Sequence, residues 1–108
     1  MEAILDKKES FEEIINGDTL VLVDFSAEWC GPCKIVKPVL EELQQRMGEM
    51  VRIIKIDIDK SPALAETWQI ESVPTLVLFQ KGASLWRRSG VPLALQLEKI
   101  VRSYLIAE

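Results

Sequence analysis

Thr19-Leu20-Val21-Leu22-Val23-Asp24-Phe25, followed by Ser26-Ala27-Glu28-Trp29 and then Cys30-Gly31-Pro32-Cys33, is the stretch that decides the architecture of this chain. Residues 19–25 are β-branched and apolar without strict alternation, the pattern of a strand covered on both faces, so this segment is expected mid-sheet. A single carboxylate, Asp24, interrupts it. The two cysteines fall where strand gives way to helix. Downstream, Val36, Val39, Leu40, Leu43 and Met47 recur at helical spacing, which predicts a helix over 32–47 with Gly48 as its stop.

Working outward, the chain alternates. Ser10-Phe11-Glu12-Glu13 matches a capping box and predicts a short helix over 10–16 ended by Gly17. Residues 51–58 read as a second strand, and Ser61-Pro62 as the cap and first-turn proline of a short helix through Trp68. Pro74 to Gln80 is a third apolar strand, Lys81-Gly82 a turn, and Ser84 to Ser89 a hairpin partner. A last helix over 92–106 carries Leu93, Leu97, Ile100, Val101 and Tyr104 on one face. Alternation followed by a hairpin indicates an α/β fold: one domain over 1–108, with a central mixed sheet flanked by helices on both faces.

Composition narrows the chemistry. At 108 residues and 48% hydrophobic content the chain can bury a single core of its own. A net charge of −4 without any basic run leaves no footprint for nucleic acid or an anionic membrane. The N-terminus is acidic at once and has no apolar stretch, so neither a signal peptide nor a spanning segment is read there. Cytoplasmic residence is expected, although a chain from which a leader had been cleaved would read the same. With two cysteines and no histidine, a structural zinc site would need two chains to share one ion. No metal and no cofactor are expected. A staple closing so short a loop would stabilise little, so the cysteine pair is read as chemical.

Cys30 stands where unpaired helix N–H groups and the positive end of the helix dipole favour a thiolate. Cys-X-X-Cys at a helix start generally lowers the thiol pKa, and the thiolate is the form that attacks a disulfide. Cys33 lies one turn on along the same face. The spacing supports a two-step exchange in which Cys30 is the nucleophile and Cys33 the resolving thiol. Asp24 is a candidate base for Cys33, because burial would raise its pKa; a structural, paired aspartate is the alternative.

Asp24-Phe25-Ser26-Ala27-Glu28-Trp29-Cys30-Gly31-Pro32-Cys33-Lys34, together with Pro38, Val73-Pro74-Thr75, Gly82 and Gly90, resembles the thioredoxin family over nearly the whole chain. The resemblance implies a thioredoxin fold, reduction of protein disulfides by dithiol–disulfide exchange, and recycling by an NADPH-dependent thioredoxin reductase. It assigns the nucleophile to Cys30, the resolving thiol to Cys33 and a buried proton carrier to Asp24. Lys55 matches a lysine beside that carboxylate whose charge opposes its desolvation, though a solvated strand lysine is the plain alternative. Pro74 matches a cis-proline opposite the cysteines. Trp29, Gly31, Pro32, Val73, Pro74, Thr75, Gly90 and Val91 would form the substrate groove around Cys30, with the Val73 backbone free to pair with an extended segment. Pro38 would bend the second helix.

Three residues or pairs depart from the usual family pattern: Ser26 in place of an aromatic, Val91-Pro92 after Gly90, and Trp86 in the hairpin strand, a candidate interface residue. An oxidant or isomerase would carry a histidine where Pro32 stands. A binding module acting without turnover is the other rival. One chain's own core accounts for the apolar stripes, so a monomer is expected.

Overall fold

The computed structural model describes residues 2–3 and 10–106. In chain order the elements are β1 (Glu2–Ala3), α1 (Phe11–Ile15), β2 (Leu20–Ser26), α2 (Gly31–Met47), a 3₁₀ turn (Gly48–Met50), β3 (Val51–Asp57), α3 (Pro62–Thr67), β4 (Thr75–Gln80), β5 (Ala83–Ser89) and α4 (Ala94–Ile106). The sheet runs β1-β3-β2-β4-β5. Its first three strands are parallel, and β4 and β5 are antiparallel to their neighbours. β2 is central and buried at every residue, as its composition predicts.

Period 2 along the strands deals the core to two sides. Leu20, Leu22, Val51, Ile53, Leu76 and Leu78 pack with Val36, Leu40, Leu43 and Met47 of α2 and with Leu97 and Val101 of α4. Val21, Val23, Phe25, Ile54, Ile56, Val77 and Phe79 pack with Phe11, Ile14 and Ile15 of α1, covered by Leu64 and Trp68. Asp24 and Ser26, even-numbered like Leu20 and Leu22, therefore fall on the α2 side.

The ends of the elements follow local chemistry. The Ser10 side chain accepts the Glu13 N–H at 3.1 Å and caps α1. Lys81 and Gly82 both have positive φ, 52° and 80°, and form the two-residue turn between β4 and β5. A side chain at 82 would also collide with Asn16 Oδ1. This hairpin tip is tied to the end of α1 by Lys81 N–H to Gly17 O and Gly82 N–H to Ile15 O, both 2.9 Å.

Several expectations are corrected. β1 is too short to register as a pattern in the sequence and appears only in the fold. α1 ends at an Asn16 cap, and Gly17 instead receives the hairpin. Ser61 precedes α3 without a side-chain capping bond. Leu93 is not on the inner face of the last helix: it lies before α4, its carbonyl accepts the first helical bond from Leu97 N–H at 3.0 Å, and its side chain points outward while Pro92 is buried. Trp86 lies in the edge strand β5, as expected, but is half-buried against the α2–α4 core instead of exposed.

Candidate active site

The strand-to-helix junction after β2 holds the cysteine pair. Cys30 is the N-cap of α2, and its Sγ accepts the Cys33 N–H at 3.1 Å. The two residues are joined as a disulfide with their Cα atoms 5.3 Å apart. Both are buried, against Ala27, Ile58 and Val73. The Val73 carbonyl oxygen lies 3.6 Å from Cys30 Sγ, and the Val73–Pro74 peptide is cis. Gly90, at φ +94°, donates its N–H to Pro74 O at 2.9 Å and so joins Val91 to the same rim.

Below the pair, Asp24 is almost fully buried at 1% exposure, and its Oδ1 has no hydrogen-bond partner among the described residues. Parallel register sets it beside Lys55 of β3. Burial pushes the Asp24 carboxyl up from 3.8 to about 6, with the Lys55 ammonium pulling the other way. A cavity of about 320 Å³ connects Asp24 and Lys55 with Cys33, Lys34 and Lys37. Cys33 thus faces a polar chamber lined by two carboxylates, the buried Asp24 and the exposed Glu28, and three ammonium groups. Cys30 faces Val73.

The predicted groove residues divide. Gly31 and Pro32 are exposed, Val73 is half-buried, and Trp29 is 70% exposed with its indole Nε1–H donated to Asp59 Oδ2 at 2.8 Å. Thr75 is different: it is fully buried, and its hydroxyl donates to Ser72 O at 2.7 Å and lies 3.1 Å from Ser89 Oγ. It braces the loop from behind instead of lining the groove, because β4 begins at that residue and turns its side chain inward.

Sequence reasoning missed Asp59, which steadies Trp29, and the part played by Lys34 and Lys37 in the chamber, while Lys55 lies there as expected. Lys37 was findable, being one helical turn beyond Cys33. Asp59 was not, since only the folded β3–α3 loop brings it to Trp29. Among the described residues no cluster of three or more potential ligands could hold a metal ion, and no helix is long and apolar enough to cross a membrane.

Residues 2–103 match the family model described as Thioredoxin. A thioredoxin-like protein of Synechocystis sp. is 44% identical over 96 residues, covering 88% of this chain and 91% of that protein. The chloroplastic thioredoxin Y2 of Arabidopsis thaliana is 41% identical over 97 residues, covering 87% of this chain but 58% of that longer protein. Among solved structures, a mutant thioredoxin from Halobacterium salinarum superposes with a TM-score of 0.82 at 33% identity, covering 94% of this chain and 88% of that one.

Proposed function

The chain belongs to the thioredoxin family and is a dithiol–disulfide oxidoreductase of the protein-disulfide-reductase type; we propose that Cys30 is its nucleophile, Cys33 its resolving thiol and Asp24 the group that takes the Cys33 proton. One observation carries this division of labour: the Cys30 sulfur caps α2 beside the Val73 backbone, while Cys33, one turn on, borders the chamber containing Asp24.

In the dithiol state the Cys30 thiolate is stabilised by the Cys33 N–H and the end of the α2 dipole. It attacks one sulfur of a substrate disulfide. That S–S bond breaks, the other substrate sulfur leaves as a thiolate and takes a proton from water, and a mixed disulfide joins Cys30 to the substrate. Cys33 then passes its proton toward the Asp24 carboxylate and attacks Cys30 Sγ. The second substrate thiolate leaves and the Cys30–Cys33 disulfide forms, so that the substrate gains the two electrons the dithiol loses. With a pKa of about 6, Asp24 is ionised at neutral pH yet basic enough to accept the proton. Lys55 keeps that value from rising further.

The substrate's extended backbone pairs with Val73, where the cis-proline offers no N–H to compete. Trp29, Gly31, Pro32, Gly90 and Val91 flank it, and Thr75 holds the wall in place. A thioredoxin reductase drawing on NADPH restores the dithiol, and the working form is a cytoplasmic monomer. Insulin disulfide reduction with NADPH and a thioredoxin reductase tests the reading. Rapid turnover that vanishes on Cys30→Ser is expected; an inert native chain would remove the general-reductase assignment.

A further inference from the structure

The active-site end of the molecule carries apolar surface that the exchange chemistry does not use. The large hydrophobic residues exposed among those described are Trp29, Ile35, Met50, Val91, Leu93 and Leu95, and of these only Met50 lies at the far end of the sheet. Leu93 is 69% exposed and Leu95 57%. With Pro38 and Val39 of α2 they border an open groove of about 430 Å³ between α2 and the start of α4. Ile35, 61% exposed, extends the α2 side, since it precedes Val39 by one helical turn. Scattered exposed leucines need no explanation, but a contiguous set around a concave surface marks a contact site.

The groove has a direction. Its distal end is bounded by ion pairs: Arg46 bridges Glu42 at 3.3 Å and Glu98 at 3.4 Å, and Glu98 also pairs with Arg102 at 2.8 Å. At the other end, its Leu93 wall is joined along the chain by buried Pro92 and exposed Val91 to Gly90, whose N–H bonds Pro74 O beside Cys30. Leu93 lies three residues beyond Gly90, a span of at most about 11 Å of chain. An extended polypeptide lying along this segment of the rim beside Cys30 covers the Gly90–Leu93 span in three or four residues.

We propose that this groove is a second docking subsite for the protein disulfide substrate, taking a large apolar side chain three or four residues from the substrate's reactive cysteine. The occupant is the substrate chain itself because the Leu93 wall of the groove follows directly on Gly90 and the exposed Val91 of the exchange-site rim. Filling both sites with one chain makes the second contact intramolecular and raises affinity without altering the sulfur chemistry. The inference rests on the reductase reading, and its test separates the two.

Two disulfide-linked peptides would be compared, identical except for leucine or serine at the positions three and four residues from the cysteine, scanned on both sides of it. The native chain should reduce the best-placed leucine peptide roughly tenfold faster in kcat/KM than its serine counterpart. That ratio should fall toward one in Leu93→Ser/Leu95→Ser, and independently in Ile35→Ser, one helical turn before Val39 on the α2 side. Thermal unfolding of the variants verifies that they are folded. A native ratio near one at every position, or a ratio that survives both variants, overturns the subsite while leaving reduction intact. Failure to reduce either peptide overturns the reductase reading and the subsite with it. Sedimentation showing a native dimer that Leu93→Ser/Leu95→Ser dissociates would give the groove to a second copy of the chain and overturn the substrate assignment.

Discussion

The two flanks of α2 leave the cysteine pair in opposite chemical directions. On one, Cys33 looks past Lys34 and Lys37 into the chamber shared by Asp24 and Lys55, where charge and burial oppose each other. On the other, Pro38 and Val39 meet Leu93 and Leu95 in a groove whose one charged lining residue among those described, Glu42, is ion-paired to Arg46. On the proposed roles, one helix separates proton handling from partner handling. The first flank needs a buried carboxylate whose ionisation costs stability; the second needs apolar side chains left in water. Both are departures from what folding alone favours, and both lie within a few residues of the same sulfur atoms.

The largest effect comes from the sulfurs that both flanks serve. Cys30→Ser should abolish turnover, by at least about a thousandfold, because no thiolate remains to start the exchange. Cys33→Ser should instead accumulate a mixed disulfide with substrate, visible by intact-protein mass spectrometry. The reverse pattern would exchange the roles of the two residues and collapse the division between flanks.

Next in size, Asp24→Asn should slow resolution of the mixed disulfide by about a hundredfold at pH 7, within the range removed with a general base. The native single-turnover rate should rise with pH through about 6 as Asp24 ionises, and the variant should lose that rise. The same substitution should stabilise the fold. The unfolded chain ionises this group near 3.8 and the folded chain only near 6, so the cost is absent below the first value, grows between the two and is complete above the second. A shift of about 2 units at 1.36 kcal/mol each gives a gain of about 2–3 kcal/mol at pH 8 and almost none at pH 3.5, measured by urea unfolding. Equal gains at both pH values would show that Asp24 burial is not electrostatically costly.

Much of this arrangement is legible in the sequence, and the part that is not has a common cause. The apolar run 19–25 declares a central strand, and the Cys-X-X-Cys at its exit declares a helix start, because these are local patterns. Asp24 stands out as the one charge in that run. The neighbourhood of Lys55 is not local: it depends on parallel register between β2 and β3, which a shift of one residue would reverse. Likewise the helical spacing of Leu93 with Leu97 points to the core, yet α4 begins one residue after Leu93, and periodicity cannot locate that boundary. The groove therefore emerges only from the fold.

A smaller change sharpens the electrostatics of the chamber. Lys55→Met removes the charge that holds the Asp24 pKa down, so the midpoint of the resolution–pH profile should move above about 6 and the rate at pH 6 should fall, by less than in Asp24→Asn. A midpoint that stays in place would make Lys55 a solvated strand residue with no part in the chemistry.

The smallest expected effect tests whether polarity on the chamber side is always a matter of charge. Ser26 lies two residues beyond Asp24 on the same face of β2, is fully buried, and its Oγ has no partner among the described residues. An unsatisfied buried hydroxyl costs about 1–3 kcal/mol, whereas a methyl in the same place costs nothing of that kind. Alanine gives back part of the gain through its weaker strand preference. Ser26→Ala should therefore stabilise by about 0.5–1 kcal/mol, and by the same amount at pH 5 and pH 8, because no titrating group is removed. The contrast with Asp24→Asn is the informative part. Two neighbouring buried polar groups both destabilise the fold, but only one varies with pH, and only that one can move a proton. A loss of stability in Ser26→Ala would mean that the hydroxyl is engaged with its surroundings, and a pH-dependent change would tie it to the ionisation of Asp24.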